Sequence, residues 1–384
     1  INENNQFNFF SASSVVIATG GFGGLYKHNL NTEDIHGEGL TLALSAGCKL
    51  INLEFLQFIP GYLKPKYKTI FAEKAFKYTT LEDSNGNSIL GKYFPEYVNE
   101  KDILNERSTH GPFSSRLKSK YLDIALFKES LRNSELQGAK VKYDISISNS
   151  EGFLIKEYFN WLEQTRGIKY NEEIVITTFA HASNGGIRIN KRAETGVKGI
   201  YAAGEVTGGM HGADRIGGLS TANALVFGKI AGQNAALFAK NQRNYNKENI
   251  IKPKISLYID SIRIPKLNPN LIIEEVKELM WKSGNVVRND EQLNYAIKKI
   301  KELSTNFQEG IEYFKEIDLY NIIKAKNYVD LSLILLTTML LREESRGSHF
   351  REDYPFQMNK FNKFIVVSKN KKGVIEYHME APNN

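Results

Sequence analysis

The residues best suited to chemistry lie close together in the chain. His181 opens HASNGGIRIN (181–190), and Glu205, Arg215 and Ser220 follow within GIYAAGEVTGGMHGADRIGGLSTANALVFG (199–228). A plain strand–turn–helix needs one or two glycines; this segment carries many more. Glycine lets a backbone turn sharply and lie close to a ligand, so the density points to a surface built against a flat, charged molecule. Arg215 has the planar fork that captures a carboxylate bidentately, although a surface salt bridge is its plainer use. Glu205, beside Gly204, can accept hydrogen bonds from sugar hydroxyls or serve as a turn residue. His181 is either structural or a ligand for substrate. Ser220 is expected to cap a helix whose free N–H groups and partial positive charge favour an anion.

These residues need strands and turns to hold them. VVIAT, running into the glycines of ATGG, reads as a short buried strand with a ligand-facing turn at its end. DIHGEGLTLALSAGCKL reads as a turn and helix, and LINLEFLQF as a second strand. From about residue 60 to 180 Tyr, Lys and Phe become more frequent, and two amphipathic helices are expected in an inserted α+β region. GGIRIN and GIYAAGE return to short strands, and LSTANALVFGKIAGQNAALFAK reads as a helix. The tail is helical and ends in short alternating strands. The expected division is 1–58, 59–184, 185–245 and 246–384.

Bulk properties exclude several classes. With 384 residues, 41% hydrophobic and 24% charged, the chain reads as an ordinary globular protein of two or three domains. Its net charge of +7 is spread without a basic run or an aromatic–basic ladder, so nucleic acid is not an expected partner. The single cysteine, Cys48, lies in an apolar stretch and is expected to be buried and inert; alone it builds neither a disulfide nor an iron–sulfur site. LSLILLTTMLL (331–341) is too short for a membrane span and reads as a buried helix, so no membrane insertion is expected.

Taken in order, ATGG, GEG with its helix, EFLQF, HASNGGI, GIYAAGEV, HGADRIGG and EESRGSHFREDYP resemble the flavoprotein subunits of succinate dehydrogenase and fumarate reductase, together with L-aspartate oxidase. The resemblance covers nearly the whole chain. It implies an α/β, Rossmann-like FAD-binding domain interrupted by an α+β capping domain and followed by a C-terminal helical domain. It implies hydride transfer between flavin N5 and a carbon of a small carboxylic acid. It implies His181, Arg215 and Glu73 as substrate-binding residues, and Thr19, Gly20, Gly21, Glu205, Ser220 and Thr221 as FAD contacts. The helix N-terminus at Ser220 would face the N1–C2=O edge of the flavin. A proton-shuttling Arg is implied after the cap loop, with Arg116 the best match in RSTHGPFSSRLKSKYLDIAL and Arg107 second. Electrons would come from a separate electron-transfer subunit, from a quinone, from oxygen or from a soluble carrier, with a location in the cytoplasm or at the inner face of its membrane.

Three departures shape the expectation. The family's GxGxxG, which opens the helix receiving the FAD pyrophosphate, has no counterpart here. A further N-terminal segment of ~100–150 residues is therefore expected, and FAD is expected to bind poorly without it. The family's QFHPT reads QFIPG at Gln57–Gly61, and its TEG reads AEK at Ala72–Lys74. Ile59 and Ala72 cannot donate the hydrogen bonds that hold a second carboxylate, unless Lys64 or Lys74 swings in. The expected function is FAD-dependent oxidation or reduction of an acid with one carboxylate near the flavin. Amine oxidation of the L-aspartate oxidase kind and a non-catalytic or split chain are the alternatives.

Overall fold

The computed structural model describes residues 8, 10–95, 98–144, 153–242, 263–312 and 319–382. Its strands are β1 (Val15–Ile17), β2 (Leu50–Ile51), β3 (Leu56–Lys64), β4 (Thr69–Ile70), β5 (Thr79–Glu82), β6 (Ala139–Tyr143), β7 (Ile174–Ser183), β8 (Gly186–Arg188), β9 (Ile200–Ala202), β10 (Thr207–Gly208), β11 (Arg263–Ile264), β12 (Ile311–Glu312), β13 (Phe364–Lys369) and β14 (Ile375–Glu380). The α-helices are α1 (Glu38–Ser45), α2 (Leu90–Tyr93), α3 (Glu100–Arg107), α4 (Lys120–Arg132), α5 (Phe153–Trp161), α6 (Leu219–Asn241), α7 (Pro269–Ser283), α8 (Asp290–Gln308) and α9 (Leu319–Leu341).

The inserted region is an antiparallel sheet of order β4-β3-β7-β6-β5. Its own core joins Tyr62, Phe76, Leu81, Leu126, Val141 and Ile176. β3 and β7 are long and buried for most of their length, so they run from this core into the rest of the molecule. The main sheet has the order β10-β8-β2-β13-β14. Here β13 pairs with β2, and β14 pairs with β13. One core then includes Leu40 and Leu50 of the first segment together with Trp281, Ile300 and Leu335 of α7, α8 and α9. The apolar run within α9 is buried as expected, and so is Cys48. The boundary expected at 245 lies outside the described residues.

Buried charge fixes how these layers meet. Arg342, at the end of α9, is fully buried against Glu54 and Glu344. In the inserted region Arg107 is buried between Asp123, which accepts from its Nε at 2.8 Å, and the His110 carbonyl at 2.6 Å. Its guanidinium also lies over the Phe76 ring, 5.2 Å from the centroid.

One expectation is corrected. β1 is not a buried strand: Val15 is 51% and Val16 40% exposed. Among the described residues it pairs in parallel with β9 alone, and a two-stranded pair covers little surface. The same holds for α6, a nearly apolar helix in which, among the described residues, only Asn223, Ala231 and Ala235 are buried. Among the described residues its apolar side chains Leu219, Leu225, Val226 and Leu237 are exposed.

Removing Asp123 leaves the buried Arg107 guanidinium without its counter-charge. Asp123→Ala is expected to lower stability by ~3–5 kcal/mol, read as an earlier midpoint in urea denaturation.

Candidate functional site

The site lies where β3 and β7 enter the main body. Gln57 pairs with Ala182 and Phe58 with Ala180, so His181 is an extra residue in the ladder. Such a bulge re-aims a side chain. The imidazole lines a cavity of about 270 Å³ with Leu30, Asn31, Ala182, Ser183, Glu205, His211, Arg215, Ser220 and Asn223. Burial, with a smaller contribution from the Arg215 charge, pulls the His181 pKa down to about 4. His181 is therefore a neutral imidazole at physiological pH, able to donate one N–H.

Arg215 reaches this cavity because Gln57 holds it from both ends. Arg215 Nε donates to Gln57 Oε1 at 3.1 Å, and Gln57 Nε2 donates back to the Arg215 carbonyl at 3.1 Å. Arg215 Nη1 reaches Ser220 Oγ at 3.4 Å. Burial lowers the Arg215 pKa and the nearby Glu205 carboxylate opposes that; a guanidinium keeps its charge regardless. Among the described lining residues Arg215 is the only fixed cation.

Glu205 follows β9. Its Oε1 accepts from Ser183 N at 2.9 Å and from Ser183 Oγ at 3.1 Å. This explains one glycine of ATGG: a Cβ on Gly21 would lie 2.3 Å from Glu205 Oε1. Gly20 takes φ +74° in the same turn, and Thr19 Oγ1 sits where any side chain on Gly39 of α1 would go. Ser220 does not cap α6. Gly218, at φ +81°, is the N-cap and no side chain accepts from the first turn. The leading N–H groups of α6 thus lack a side-chain cap, with Ser220 and Thr221 exposed beside them. A Cβ on Gly217 or Gly218 would meet nothing within 4 Å. An uncapped helix N-terminus, an open glycine turn and a carboxylate with one oxygen uncommitted to Ser183 fit the ring and sugar-alcohol end of a flavin.

The remaining sequence expectations divide. Arg116 lines a second cavity of about 470 Å³ with Asp214, Ile216 and Arg346, and His211 lines both. Arg107 is committed to Asp123, away from either. Glu73 lies on the short turn Glu73–Tyr78 of the inserted sheet, close enough to Tyr158 to raise its pKa, and lines neither cavity. Ile59 is 5% exposed within β3, and a Cβ on Gly61 would press on the Phe179 ring at 2.8 Å. The loss of the expected His and Thr there is therefore filled by packing. Lys64 faces Glu173 on the surface.

Gln57, His211, Asp214 and Asn223 carried no role in the sequence reading. Asn223 lies one turn along α6 from Ser220 and approaches His211 Nε2 at 3.4 Å. The signal was present: Asn223 follows Ser220 at i+3, and His211 and Asp214 flank Arg215.

The chain's residues 1–221 match the family described as FAD binding domain, and residues 273–381 match the one described as Fumarate reductase flavoprotein C-term. Among curated relatives, the uncharacterized FAD-dependent oxidoreductase MJ0033 of Methanocaldococcus jannaschii is 31% identical, covering 94% of this chain and 64% of that protein. A subunit of the fumarate reductase (CoM/CoB) of Methanothermobacter marburgensis is 28% identical over the same shares, 94% and 64%. The chain thus spans about two thirds of the length of these relatives. The solved structure of Mycobacterium smegmatis Sdh1 in complex with UQ1 shares the fold, with a TM-score of 0.79 at 24% identity over 98% of this chain and 63% of that one.

A carboxylate bound beside His181 favours its protonated form, so binding takes up a proton at pH values between the free pKa near 4 and the higher bound value. Affinity for a small carboxylate is expected to strengthen as pH falls from about 7 to about 5, measured by calorimetric titration. His181→Gln should flatten that dependence.

Proposed function

Because this chain belongs to the FAD binding domain family and its C-terminal part to the fumarate reductase flavoproteins, we propose that it is the catalytic body of an FAD-dependent oxidoreductase acting on a small acid with one carboxylate. The carrying observation is the pairing of neutral His181 with the Gln57-held Arg215 guanidinium in one cavity, at the uncapped start of α6. Bound FAD would supply a two-electron, hydride-transferring group. Thr19, Gly20, Gly21, Glu205, Ser220 and Thr221 would hold it. Segments 1–58 and 185–245 would form its domain, with 59–184 as the cap and 246–384 the helical part.

The other steps belong to the chain's own side chains. Arg215 binds the substrate carboxylate by charge-assisted hydrogen bonds, and His181 donates a further one. Arg116 moves a proton to or from the substrate carbon. A guanidinium is a weak acid in water, so this role needs a site that holds it against the reacting carbon. The electron source would be a separate protein chain or a soluble carrier; the Methanothermobacter relative is itself named as one subunit of its enzyme. Among the described residues no helix is long and apolar enough to cross a membrane.

The single-carboxylate reading rests on the lining. Besides the Arg215 guanidinium, the described lining offers no second fixed cation, and it includes the neutral Leu30, Asn31 and Ala182. Burying a second carboxylate against neutral groups costs several kcal/mol. Lys68, half-buried, already donates to the Asn31 carbonyl at 2.9 Å.

Flavin-loaded protein given an artificial electron donor is expected to reduce monocarboxylic enoates at least ~10-fold more efficiently (kcat/KM) than fumarate, as about 1.4 kcal/mol per decade implies. Faster reduction of fumarate would overturn the reading, and its loss in Lys68→Met would identify the compensating cation. Arg116→Lys should abolish turnover while leaving the flavin bound and reducible by dithionite.

A further inference from the structure

Arg116 is 63% exposed, yet its guanidinium is fixed. Its Nε donates to Asp214 Oδ2 at 2.9 Å, and Nη2 stands 2.7 Å from the same oxygen. Ser114 Oγ donates to that oxygen as well, at 2.7 Å. Exposed ion pairs contribute little when both partners are mobile. Here the carboxylate is rigidly mounted. The Ala213 carbonyl, one residue before it, accepts from Ser348 N at 3.0 Å, Ser348 Oγ at 3.0 Å and Asn184 Nδ2 at 3.3 Å. Gln57 holds the next residue, Arg215. The Arg116 side is tethered too: Ser115 N donates to the Gly347 carbonyl at 2.7 Å, and Phe113 N to the Phe58 carbonyl at 2.8 Å.

One short loop thus presents two adjacent side chains with separate tasks. Arg215 faces the substrate cavity, and Asp214 holds the guanidinium lining the adjoining one. We infer that Asp214 is the positioning residue for Arg116. This rests on the reading above that Arg116 carries the proton. The balance is simple. An Arg116 N–H bond breaks, its electron pair staying on nitrogen as a neutral guanidine, while the proton joins an electron pair on a carbanionic substrate carbon to form the C–H bond. A hydronium ion or buffer acid reaching the open cavity returns a proton to that nitrogen and restores the guanidinium. A neighbouring carboxylate favours the charged guanidinium, which by itself slows proton release. The benefit of Asp214 is therefore orientation, not acidification.

The test uses flavin-loaded protein and three readouts: steady-state kinetics, flavin content, and mass-spectrometric labelling of Arg116 by phenylglyoxal. Asp214→Asn keeps the size of the side chain and removes the charge. It is expected to lower kcat by ~10–100-fold, within the range of general acid–base effects, with KM changed far less. Asp214→Glu should recover part of the rate, and Arg116 should label several-fold faster in Asp214→Asn than in the wild type. Unchanged kcat in Asp214→Asn overturns the inference. So does a parallel fall of kcat and flavin content with unchanged Arg116 labelling, which marks a purely structural carboxylate. If Arg116→Ala stays active, or the wild type turns over no acid, the Arg116 reading fails and takes this inference with it; wild-type turnover with an inert Asp214→Asn defeats the inference alone.

Discussion

The site depends on how the loop Gly212–Ile216 is anchored. A single carbonyl, that of Ala213, accepts from Asn184 and from both the backbone and the side chain of Ser348. Gly347 must be glycine for this to happen: its φ is +55° and a Cβ would lie 2.5 Å from the Ala213 oxygen. Gln57 completes the anchor through the Arg215 carbonyl. Three segments far apart in sequence, EFLQF, HASNGG and SRGSH, thereby converge on one turn. Buried polar groups are stable only when paired, so each of these contacts supports the others. The charged Arg342–Glu54–Glu344 cluster lies next to them in sequence and ties the same segments to the helical tail.

The local chemistry of the site was legible in the residues. Glycines in HGADRIGG and ATGG mark close backbone approach, and in the fold Gly21 makes room for Glu205 while Gly218 turns the chain into α6. The buried helix in the tail was legible from its unbroken apolar run. What was not legible depended on pairing across long sequence separations. Ser220 has the composition of a cap, yet Gly218 takes that position because its positive φ ends the turn sooner. Arg107 and Arg116 are equally basic in sequence, and only the burial of Asp123 beside one and the position of Asp214 beside the other separates them. VVIAT has the composition of a core strand, but composition cannot reveal whether neighbours cover it. Ile59 and Gly61 read as lost substrate contacts; in the fold they are packing partners, with Phe179 filling the space over Gly61.

The electrostatics follow from burial. His181 is held neutral largely by desolvation, while Arg215 remains charged in the same cavity. A neutral donor beside a fixed cation suits one carboxylate, because the positive charge is supplied once and the second contact adds direction rather than charge. The first turn of α6 brings uncapped N–H groups to the edge of that cavity at Ser220. Substrate and cofactor would then meet across Ser220, whose hydroxyl already receives Arg215.

That meeting is the central claim, and the spectrum of bound flavin reports it directly. Flavin-loaded protein titrated with a small, unreactive monocarboxylate is predicted to show a saturable shift in its flavin absorbance, and the shift should vanish in Arg215→Gln while the flavin stays bound. A spectrum that does not respond, or that responds equally in Arg215→Gln, would contradict the claim that Arg215 holds a carboxylate against the cofactor.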